Sequence, residues 1–291
     1  MSVLSYRSYG KINLYLDVLS RRSDGFTDIE TVLQSINLYD RLVVAPHSSG
    51  IQLTCSDDTL GGGADNLVYR AAALVQAQTG LPDGVKIHLE KNLPIAAGLA
   101  GGSGNAAATL IALNDLWSLG WDVHKLCELA LELGSDVPFC VLGGTVAATG
   151  RGEVMTPLPP LPTQWLVLVH PPLAVTAGHA YGHPQLTRNV TAPVNGKTPA
   201  FDAALSGLAA GQVADVIFNR MESGVLCDHP ELGVIKAQLM ASGCLASAMS
   251  GSGPTVFGLC ADEASARHIA SQIRDYRTTV VHTMDQGVLR E

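Results

Sequence analysis

The chain has 291 residues, of which 47% are hydrophobic and 15% are charged, and its formal net charge is -8. This composition is typical of a folded, enzyme-like protein with one large domain or two ordinary ones, and it excludes a disordered chain. The acidic balance argues against nucleic acid as a partner, because phosphate backbones are bound by clusters of Lys and Arg.

Hydrophobic periodicity predicts strands and helices that alternate along the chain without an internal repeat. Asp65 or Asn66 can cap the first helix, and Asp122 can cap the third. Prolines at positions 157, 159, 160 and 162 predict a domain boundary. In chain order the predicted elements are strand 12–18, turn 21–25, helix 67–75, strand 85–89, helix 105–119, helix 123–133, strand 165–169, helix 230–241, strand 255–259, helix 263–276 and strand 278–282.

The six cysteines contain no Cys-x-x-Cys pair, and in a chain of this size they are interpreted as reduced thiols of a cytoplasmic protein. Residues 1–7 lack the apolar segment of a signal peptide. Apolar runs such as 165–169 have the length of a strand and are too short to cross a membrane. We therefore expect neither secretion nor a membrane partner.

The strongest chemical signal is the glycine-rich segment 94–104, which directly precedes the helix predicted at 105–119. Glycines let backbone N–H groups turn toward an anion, and the helix adds the positive end of its dipole, so the loop suits a phosphate. The hydroxyl of Ser103 could bind a phosphate oxygen or a phosphate-bound Mg²⁺. The chain has no Gly-Lys-Ser/Thr here, which excludes a Walker A loop. A turn that only lets a helix pack closely fits the loop equally well.

A dinucleotide site is disfavoured, because it requires an acidic residue at a strand end about twenty positions further on, where this chain predicts a helix. Asp136 follows a predicted helix end, where a carboxylate gains nothing from the helix dipole, and it is interpreted either as a turn former or as a general base. Lys11 fits a solvated strand end or a functional cation.

Two further groups of residues are interpreted as loops. His179 and His183 are four positions apart but have no evident third metal ligand, so a surface loop is predicted there. Gly150-Arg151-Gly152-Glu153 is predicted to be a tight turn rather than a site.

Four motifs, in this order along the chain, resemble those of the GHMP small-molecule kinases. They are Lys11-Ile12-Asn13-Leu14, the glycine loop with its helix, Gly134-Ser135-Asp136-Val137-Pro138-Phe139 and Ser250-Gly251-Ser252-Gly253. Three more narrow the resemblance to one kind of kinase in that family, whose acceptor is an alcohol that carries a cytidine diphosphate. These are Asp65-Asn66-Leu67-Val68, Gly150-Arg151-Gly152-Glu153 and His170-Pro171.

The resemblance implies a two-lobed α+β fold with the active site in the cleft between the lobes. Residues 1–160 would form a ribosomal-S5-like N-terminal lobe that binds ATP and carries the catalytic residues, and 161–291 a ferredoxin-like C-terminal lobe for the substrate. Asn66 would lie near the adenosine, and Ser103 would be the ligand of Mg²⁺. The loop that would hold the ATP phosphates consists of Pro94, Ile95, Ala96, Ala97, Gly98, Leu99, Ala100, Gly101, Gly102, Ser103 and Gly104.

The resemblance also implies the roles of the remaining site residues. Asp136 would accept the proton of the substrate hydroxyl, and Lys11 would keep this carboxylate ionised and stabilise the developing charge. Asn13 would line the cleft for the small-molecule substrate. The residues at the positions that hold the cytosine are Phe26, Thr27 and Tyr181. A cytoplasmic monomer or weak homodimer is expected.

This chain departs from the usual family pattern at a few positions. Ala96 and Ala100 stand where Gly is usual, Gly104 stands where Ser is usual, and Phe26-Thr27 replaces Tyr-His. An alanine in a left-handed conformation costs about 1 kcal/mol, so the loop is expected to sit differently or to bind ATP more weakly. Two alternatives stay open. One is a family kinase for another small alcohol, such as homoserine or a mevalonate-like compound, and the other is a catalytically silent nucleotide-binding relative.

Overall fold

A computed structural model describes residues 3–191 and 193–291. Residues 3–157 form six strands and four helices. They are β1 (Leu4–Arg21), β2 (Thr27–His47), β3 (Ile51–Cys55), α1 (Leu67–Thr79), β4 (Gly84–Glu90), α2 (Gly101–Leu116), α3 (Val123–Leu133), α4 (Val137–Leu142), β5 (Thr145–Thr149) and β6 (Val154–Pro157).

The second half also combines strands and helices, most of them shorter. They are β7 (Trp165–His170), α5 (Ala177–Gly182), α6 (Pro199–Ala209), α7 (Val213–Val216), β8 (Phe218–Asn219), α8 (Glu222–Asp228), α9 (Pro230–Ala241), β9 (Ala246–Met249), β10 (Val256–Cys260), α10 (Glu263–Gln272), β11 (Arg277–His282) and β12 (Val288–Arg290). No helix among the described residues combines the length and the apolar character that crossing a membrane would require.

The first sheet is built on the long antiparallel pair β1 and β2. Its strand order is β12-β1-β2-β4-β3, and β5 and β8 add to β2 and β1 respectively. The predicted strand at 12–18 is confirmed as part of β1. The prediction that it is half-buried is wrong, because residues 11–19 are buried on both faces. The buried apolar side chains of the molecule form three clusters, and β1 contributes residues to each of them. Tyr6 lies in the first cluster, Ile12 in the second and Val18 in the third.

The core of the first lobe lies between this sheet and the helices α1, α2 and α3. It contains Val75 of α1, Leu110 of α2 and Leu129 of α3, packed against Ile87 of β4. Burial of such apolar side chains is the dominant favourable contribution to folding. The predicted caps are confirmed, since the side chains of Asn66 and Asp122 accept main-chain N–H groups at the starts of α1 and α3.

The second sheet has the order β11-β7-β10-β9 and is entirely antiparallel. The second apolar cluster joins the two lobes, because Ile12 of β1 packs in the same cluster as Leu168 of β7, Phe201 of α6 and Phe257 of β10. Two strands that follow residue 160, β8 and β12, pair with β1 in the first sheet. The division of the chain near residue 160 therefore stays a prediction.

Among the differences between prediction and structure, two concern helix ends and one concerns a predicted loop. Helix α2 begins at Gly101, four residues before its predicted start, because the last four residues of the glycine loop form its first turn. Helix α10 ends at Gln272 rather than at 276. The segment predicted as a surface loop around His179 is the short helix α5.

Candidate active site

The glycine loop begins at a fixed point at the end of β4. One carboxylate oxygen of the buried Asp40 accepts the main-chain N–H groups of Asn92 and Leu93, at 2.7 and 2.8 Å. Its other oxygen pairs with the ammonium group of Lys91. An aspartate with all these partners is well satisfied in the interior. The loop therefore starts from a rigid position, which is needed to align its N–H groups with a ligand.

The two alanines that replace the usual glycines both have left-handed backbones. Ala96 has φ 52° and Ala100 has φ 55°, which confirms that alanine is forced into this conformation here. Gly98, between them, also has positive φ, and a Cβ there would lie 2.0 Å from the carbonyl oxygen of Ser250. The loop therefore keeps its left-handed turns and packs against the second lobe. The Ser250 hydroxyl also donates to the Gly98 carbonyl at 3.0 Å.

The N-terminus of α2 is open to a ligand. Its first residue is Gly101, and no side chain caps the helix at Ala100. The unpaired N–H groups of a helix N-terminus and the helix dipole together favour an anion. Ser103 lies in this first turn, at the margin of two cavities.

The first of these cavities has a volume of about 500 Å³ and follows the glycine loop. Asn66 lies at its wall, where its Oδ1 caps α1 by accepting the N–H of Val68 at 2.9 Å. Its Nδ2 donates to the Gly61 carbonyl at 3.0 Å. The loop residues that line the cavity are Pro94, Ile95, Ala96, Ala97, Gly98, Ala100, Gly101, Gly102 and Ser103.

Two residues of the predicted phosphate loop line neither described cavity. The carbonyl of buried Leu99 accepts the main-chain N–H of Lys11 at 3.0 Å and so joins the loop to β1. Gly104 lies inside α2, where a Cβ would meet the Ser8 hydroxyl oxygen at 2.6 Å. The serine that is usual at this position would collide with β1, so Gly104 sets the close packing of helix and strand.

Lys11 is buried on β1 and is held in place by a chain of hydrogen bonds. Its ammonium group donates to Oδ1 of Asn13 at 2.8 Å. The amide of Asn13 donates to the Thr31 hydroxyl at 2.9 Å, and that hydroxyl donates to the Tyr15 carbonyl at 2.6 Å. These linked hydrogen bonds fix the position of the ammonium group at the cavity wall.

Asp136 lies opposite this ammonium group. Its Oδ2 is 3.8 Å from Nζ of Lys11, and its side chain is 48% exposed, so it can reach a ligand. The view that its carboxylate gains nothing from a helix dipole is wrong, because α4 begins at the next residue, Val137. Its side chain caps no N–H group of α4, so the carboxylate oxygens stay available.

The second cavity has a volume of about 460 Å³ and brings together every residue that the sequence assigns to catalysis or to the acceptor substrate. These residues are Lys11, Asn13, Phe26, Thr27, Asp136 and Tyr181. Tyr181 comes from α5 of the second lobe, and the others come from the first. Burial, followed by the nearby charge of Asp136, raises the pKa of the Tyr181 hydroxyl above its usual range, so it stays protonated.

The two cavities meet at the glycine loop. The residues that line both are Gly98, Ala100, Ser103, Ala177 and Ser252. A ligand with its phosphates at the start of α2 would therefore reach the boundary of the cavity that contains Asp136. This arrangement allows a group to pass from a ligand in one cavity to a ligand in the other.

Two residues that support the site were not found from the sequence. Asn219, on the short strand β8, donates to the carbonyls of Met249 and Gly251 at 2.7 and 2.8 Å and so holds the turn that faces Lys11. Arg188 donates to the Tyr181 carbonyl at 2.9 Å and to the Thr27 hydroxyl at 3.5 Å. Neither belongs to a local motif, so only the tertiary contacts reveal them.

The two histidines of the predicted loop contact a common carboxylate. Asp228 Oδ2 lies 2.9 Å from Nε2 of His179 and 3.2 Å from Nε2 of His183, so a third polar partner is present. Nδ1 of His183 accepts the N–H of Gln185 at 3.2 Å, which places the proton of its neutral ring on Nε2. These hydrogen bonds lower the pKa of Asp228. The cluster therefore links α5 to α8.

Comparison with known families agrees with this geometry. The family description "GHMP kinases N terminal domain" matches residues 66–144, which include the glycine loop and Asp136. "GHMP kinases C terminal" matches residues 200–277. The chain belongs to the GHMP kinase family, and it is a kinase.

Relatives that match nearly the whole chain carry one name. A protein of Moorella thermoacetica named 4-diphosphocytidyl-2-C-methyl-D-erythritol kinase is 45% identical over 285 residues, which are 97% of this chain and 99% of the relative. One of Pelotomaculum thermopropionicum with the same name is 44% identical and covers 94% of each chain. The crystal structure of a 4-(cytidine 5'-diphospho)-2C-methyl-D-erythritol kinase is similar with a TM-score of 0.81 and 35% identity, covering 96% of this chain and 98% of the other. The predicted two-lobed α+β fold is confirmed by this likeness.

Proposed function

We propose that the protein transfers the γ-phosphoryl group of ATP to the 2-hydroxyl of 4-diphosphocytidyl-2-C-methyl-D-erythritol, a step of the non-mevalonate route to isoprenoid precursors. The observation that carries the proposal is the pair of cavities that meet at Gly98, Ala100 and Ser103. The cavity with Lys11 and Asp136 also contains an aromatic residue from each lobe. The names of the relatives supply the identity of the acceptor.

In the transfer, the tertiary hydroxyl oxygen forms a bond to the γ-phosphorus while the bond from that phosphorus to the β–γ bridging oxygen breaks. Asp136 accepts the hydroxyl proton, and ADP leaves with the bridging oxygen. Lys11, 3.8 Å from Asp136, stabilises the negative charge that develops near it. Phosphoryl transfer depends mainly on such positioning and charge stabilisation.

In the proposed complex the ATP phosphates lie at the open N-terminus of α2, and the adenosine lies toward Asn66. Mg²⁺ bound to these phosphates would neutralise part of their charge, and the Ser103 hydroxyl, which lines both cavities, fits the oxygen ligand that Mg²⁺ prefers. The main-chain N–H groups of the first turn of α2 would bind the phosphate oxygens.

The cytosine would lie between Phe26 and Tyr181, which line the acceptor cavity from opposite lobes. Stacking uses the π-face of a side chain, so Phe26 can replace the usual tyrosine. Arg188 can only donate to the Thr27 oxygen, so the Thr27 hydroxyl can turn its own proton toward an acceptor of the base.

The proposal includes a cytoplasmic location and a monomer or weak homodimer. All six cysteines are free, which supports a reducing compartment. Sedimentation at several protein concentrations measures the oligomeric state directly.

Initial rates of ADP release test the proposed function. The protein is incubated with ATP, Mg²⁺ and one alcohol at a time, namely the cytidylylated methylerythritol, homoserine and mevalonate. We expect turnover only with the first. Faster turnover of homoserine or mevalonate supports a kinase of another alcohol, and binding of ATP without turnover of any alcohol supports a silent relative.

A further inference from the structure

The turn between β5 and β6 is fixed by its backbone angles and by an internal hydrogen bond. Its sequence, Gly150-Arg151-Gly152-Glu153, predicts only a tight turn. Gly150 and Gly152 have positive φ values of 70° and 105°. The Glu153 carboxylate folds back and accepts the main-chain N–H of Arg151 at 2.6 Å, where a Cβ on residue 150 would collide with it. The turn therefore requires this glycine and this carboxylate.

The same turn is anchored beside the acceptor cavity. The Gly150 carbonyl accepts the N–H of Ile29 at 2.7 Å, two residues after Thr27 on β2. As a result, the half-buried Arg151 lines the cavity that contains Phe26 and Asp136. Its guanidinium carbon lies over the Phe26 ring, 4.8 Å from the ring centroid. A guanidinium stacked on a ring keeps its N–H groups in its own plane, where they can donate to another ligand.

The positive charge of Arg151 has no counter-ion among the residues that the structure describes. The nearest acidic residue in sequence, Glu153, uses its carboxylate for the main-chain N–H of Arg151 and lies 3.9 Å from the Arg22 guanidinium. Lys11, another cation at the cavity wall, donates to Asn13 and lies against Asp136. The cavity thus contains a guanidinium that is free to bind an anion.

We propose that Arg151 binds the diphosphate of the acceptor and so selects alcohols that carry a nucleoside diphosphate over the bare alcohol. The inference rests on the proposed function, in which the base lies near Phe26 and the reacting hydroxyl near Asp136, with the diphosphate between them. Arginine suits this role because its planar fork binds phosphate oxygens through two N–H groups. Arg151 is then a specificity residue, and Asp136 and Lys11 carry the chemistry.

Titration calorimetry with cytidine and with CDP tests the assignment separately from catalysis. The ATP cavity is first saturated with a non-hydrolysable ATP analogue, so that CDP can bind only in the acceptor cavity. We expect the wild-type protein to bind CDP about tenfold or more tightly than cytidine, the range of a charge-assisted hydrogen bond. Arg151→Ala and Arg151→Gln should abolish this preference, and Arg151→Lys should keep part of it. In kinetics, both uncharged variants should raise KM for the cytidylylated alcohol while KM for ATP stays unchanged.

Two control variants show whether a lost preference for CDP comes from the loss of a contact to the diphosphate. Arg21 is an exposed arginine at the end of β1, in the hairpin that carries Phe26, and it does not line the described cavity, so Arg21→Ala should leave the CDP preference intact. Tyr181→Ala removes a predicted stacking partner and should weaken cytidine and CDP binding alike. Melting temperatures show whether each variant is folded, and Arg151→Gln keeps the side-chain stem over Phe26 if the alanine variant is unstable.

The outcomes distinguish the inference from the proposed function. If the wild-type protein phosphorylates the cytidylylated alcohol and Arg151→Gln keeps the full preference for CDP, the role of Arg151 is wrong and the proposed function stands. If the wild-type protein binds neither cytidine nor CDP and phosphorylates no cytidylylated alcohol, both are wrong.

Discussion

At the scale of single residues, Asp136 is proposed to serve chemistry rather than the fold. It precedes α4 without capping it, and half of its side chain is exposed. Asp136→Asn keeps the size of the side chain but cannot accept a proton from the substrate. We expect the melting temperature to stay nearly unchanged, kcat to fall by at least about a hundredfold, and ATP to bind as before. Steady-state kinetics and calorimetry measure these quantities.

Asp122 provides the matched control for this variant. Its side chain caps α3 by accepting the N–H of Lys125 at 2.8 Å, and it does not line either described cavity. Asp122→Ala should lower the free energy of unfolding by about 1 kcal/mol and leave kcat unchanged. If Asp136→Asn remains active, or if it loses activity only because it unfolds, Asp136 is not the proton acceptor.

Ala96 carries a conformational strain that a glycine would relieve. Its backbone is left-handed and its side chain is exposed, so its methyl group contributes little burial. The left-handed conformation costs about 1–2 kcal/mol for alanine, and glycine loses about 0.5–1 kcal/mol through the flexibility of the unfolded chain. We therefore expect Ala96→Gly to raise the free energy of unfolding by about 0.5 kcal/mol, as measured by urea denaturation. A loss of stability would show that the alanine is not strained.

At the scale of elements, the proposed binding of ATP depends on the start of α2. Gly102 is exposed in the first turn, and a Cβ there would make only an ordinary contact with Leu67 at 3.5 Å. At Gly101, by contrast, a Cβ would crowd Leu93 and Lys91, both at 3.2 Å, so a larger residue there would disturb the fold as well.

Gly102→Val is therefore the cleaner test of the phosphate loop. The valine side chain would occupy the space in front of the helix N-terminus without a clash in the core. We expect ATP binding to be lost in calorimetry while the melting temperature changes little. Undiminished ATP affinity would mean that the loop serves only to pack α2 closely.

Some elements were predictable because their signals are local. The capped helices α1 and α3 and the strand β4 have a cap or a regular period within a few residues, and all three were predicted. Strand β2 was not, because its pairing with β1 shifts register at several points, which disrupts a simple alternation along the chain. The burial of both faces of β1 comes from packing against elements almost the whole chain length away, which no local pattern records.

The same distinction holds within the candidate site. The glycine loop, Lys11 and Asp136 lie in contiguous motifs, and their resemblance to a family suggested their roles. Arg188 and Asn219 act through hydrogen bonds to residues of distant segments. Arg151 lies at the cavity only because its turn is hydrogen-bonded to β2. Residues whose role depends on tertiary contacts cannot be recognised from spacing alone.

At the scale of the whole molecule, a half-buried histidine of the second sheet, His170, makes stability depend on pH. Burial, followed by the charge of Arg277, lowers the pKa of His170 from 6.5 to about 4. The unfolded chain therefore binds a proton that the folded chain does not between these values. The contribution is fully present above about pH 6.5 and is lost as the pH falls toward 4.

Lowering the pH from about 7.5 to about 5.5 should reduce the free energy of unfolding of the wild-type protein by about 1 kcal/mol through this histidine. Denaturation in urea at the two pH values measures the loss, and His170→Gln should reduce it. His124 is an exposed control, with 84% of its side chain accessible, so His124→Gln should leave the pH dependence unchanged. Equal slopes for wild type and His170→Gln would show that His170 does not titrate in this way.

In the proposed reaction, the two lobes contribute different groups to the site. The first lobe supplies the phosphate loop, Lys11 and Asp136, and the second supplies Tyr181 and the turn at Ser250 that packs on Gly98. The apolar cluster shared by both lobes holds these parts together. The site therefore requires both lobes packed together, with the proposed ATP cavity and the proposed acceptor cavity on either side of the glycine loop.

Competition of several alcohols for a limiting amount of ATP tests the proposed acceptor of the phosphoryl group. The protein is given an equimolar mixture of the cytidylylated methylerythritol, free methylerythritol, homoserine and mevalonate, and mass spectrometry identifies which alcohol gains a phosphoryl group. We expect the phosphoryl group to appear on the cytidylylated methylerythritol alone, at its tertiary hydroxyl. Transfer mainly to any of the other three alcohols would contradict this expectation.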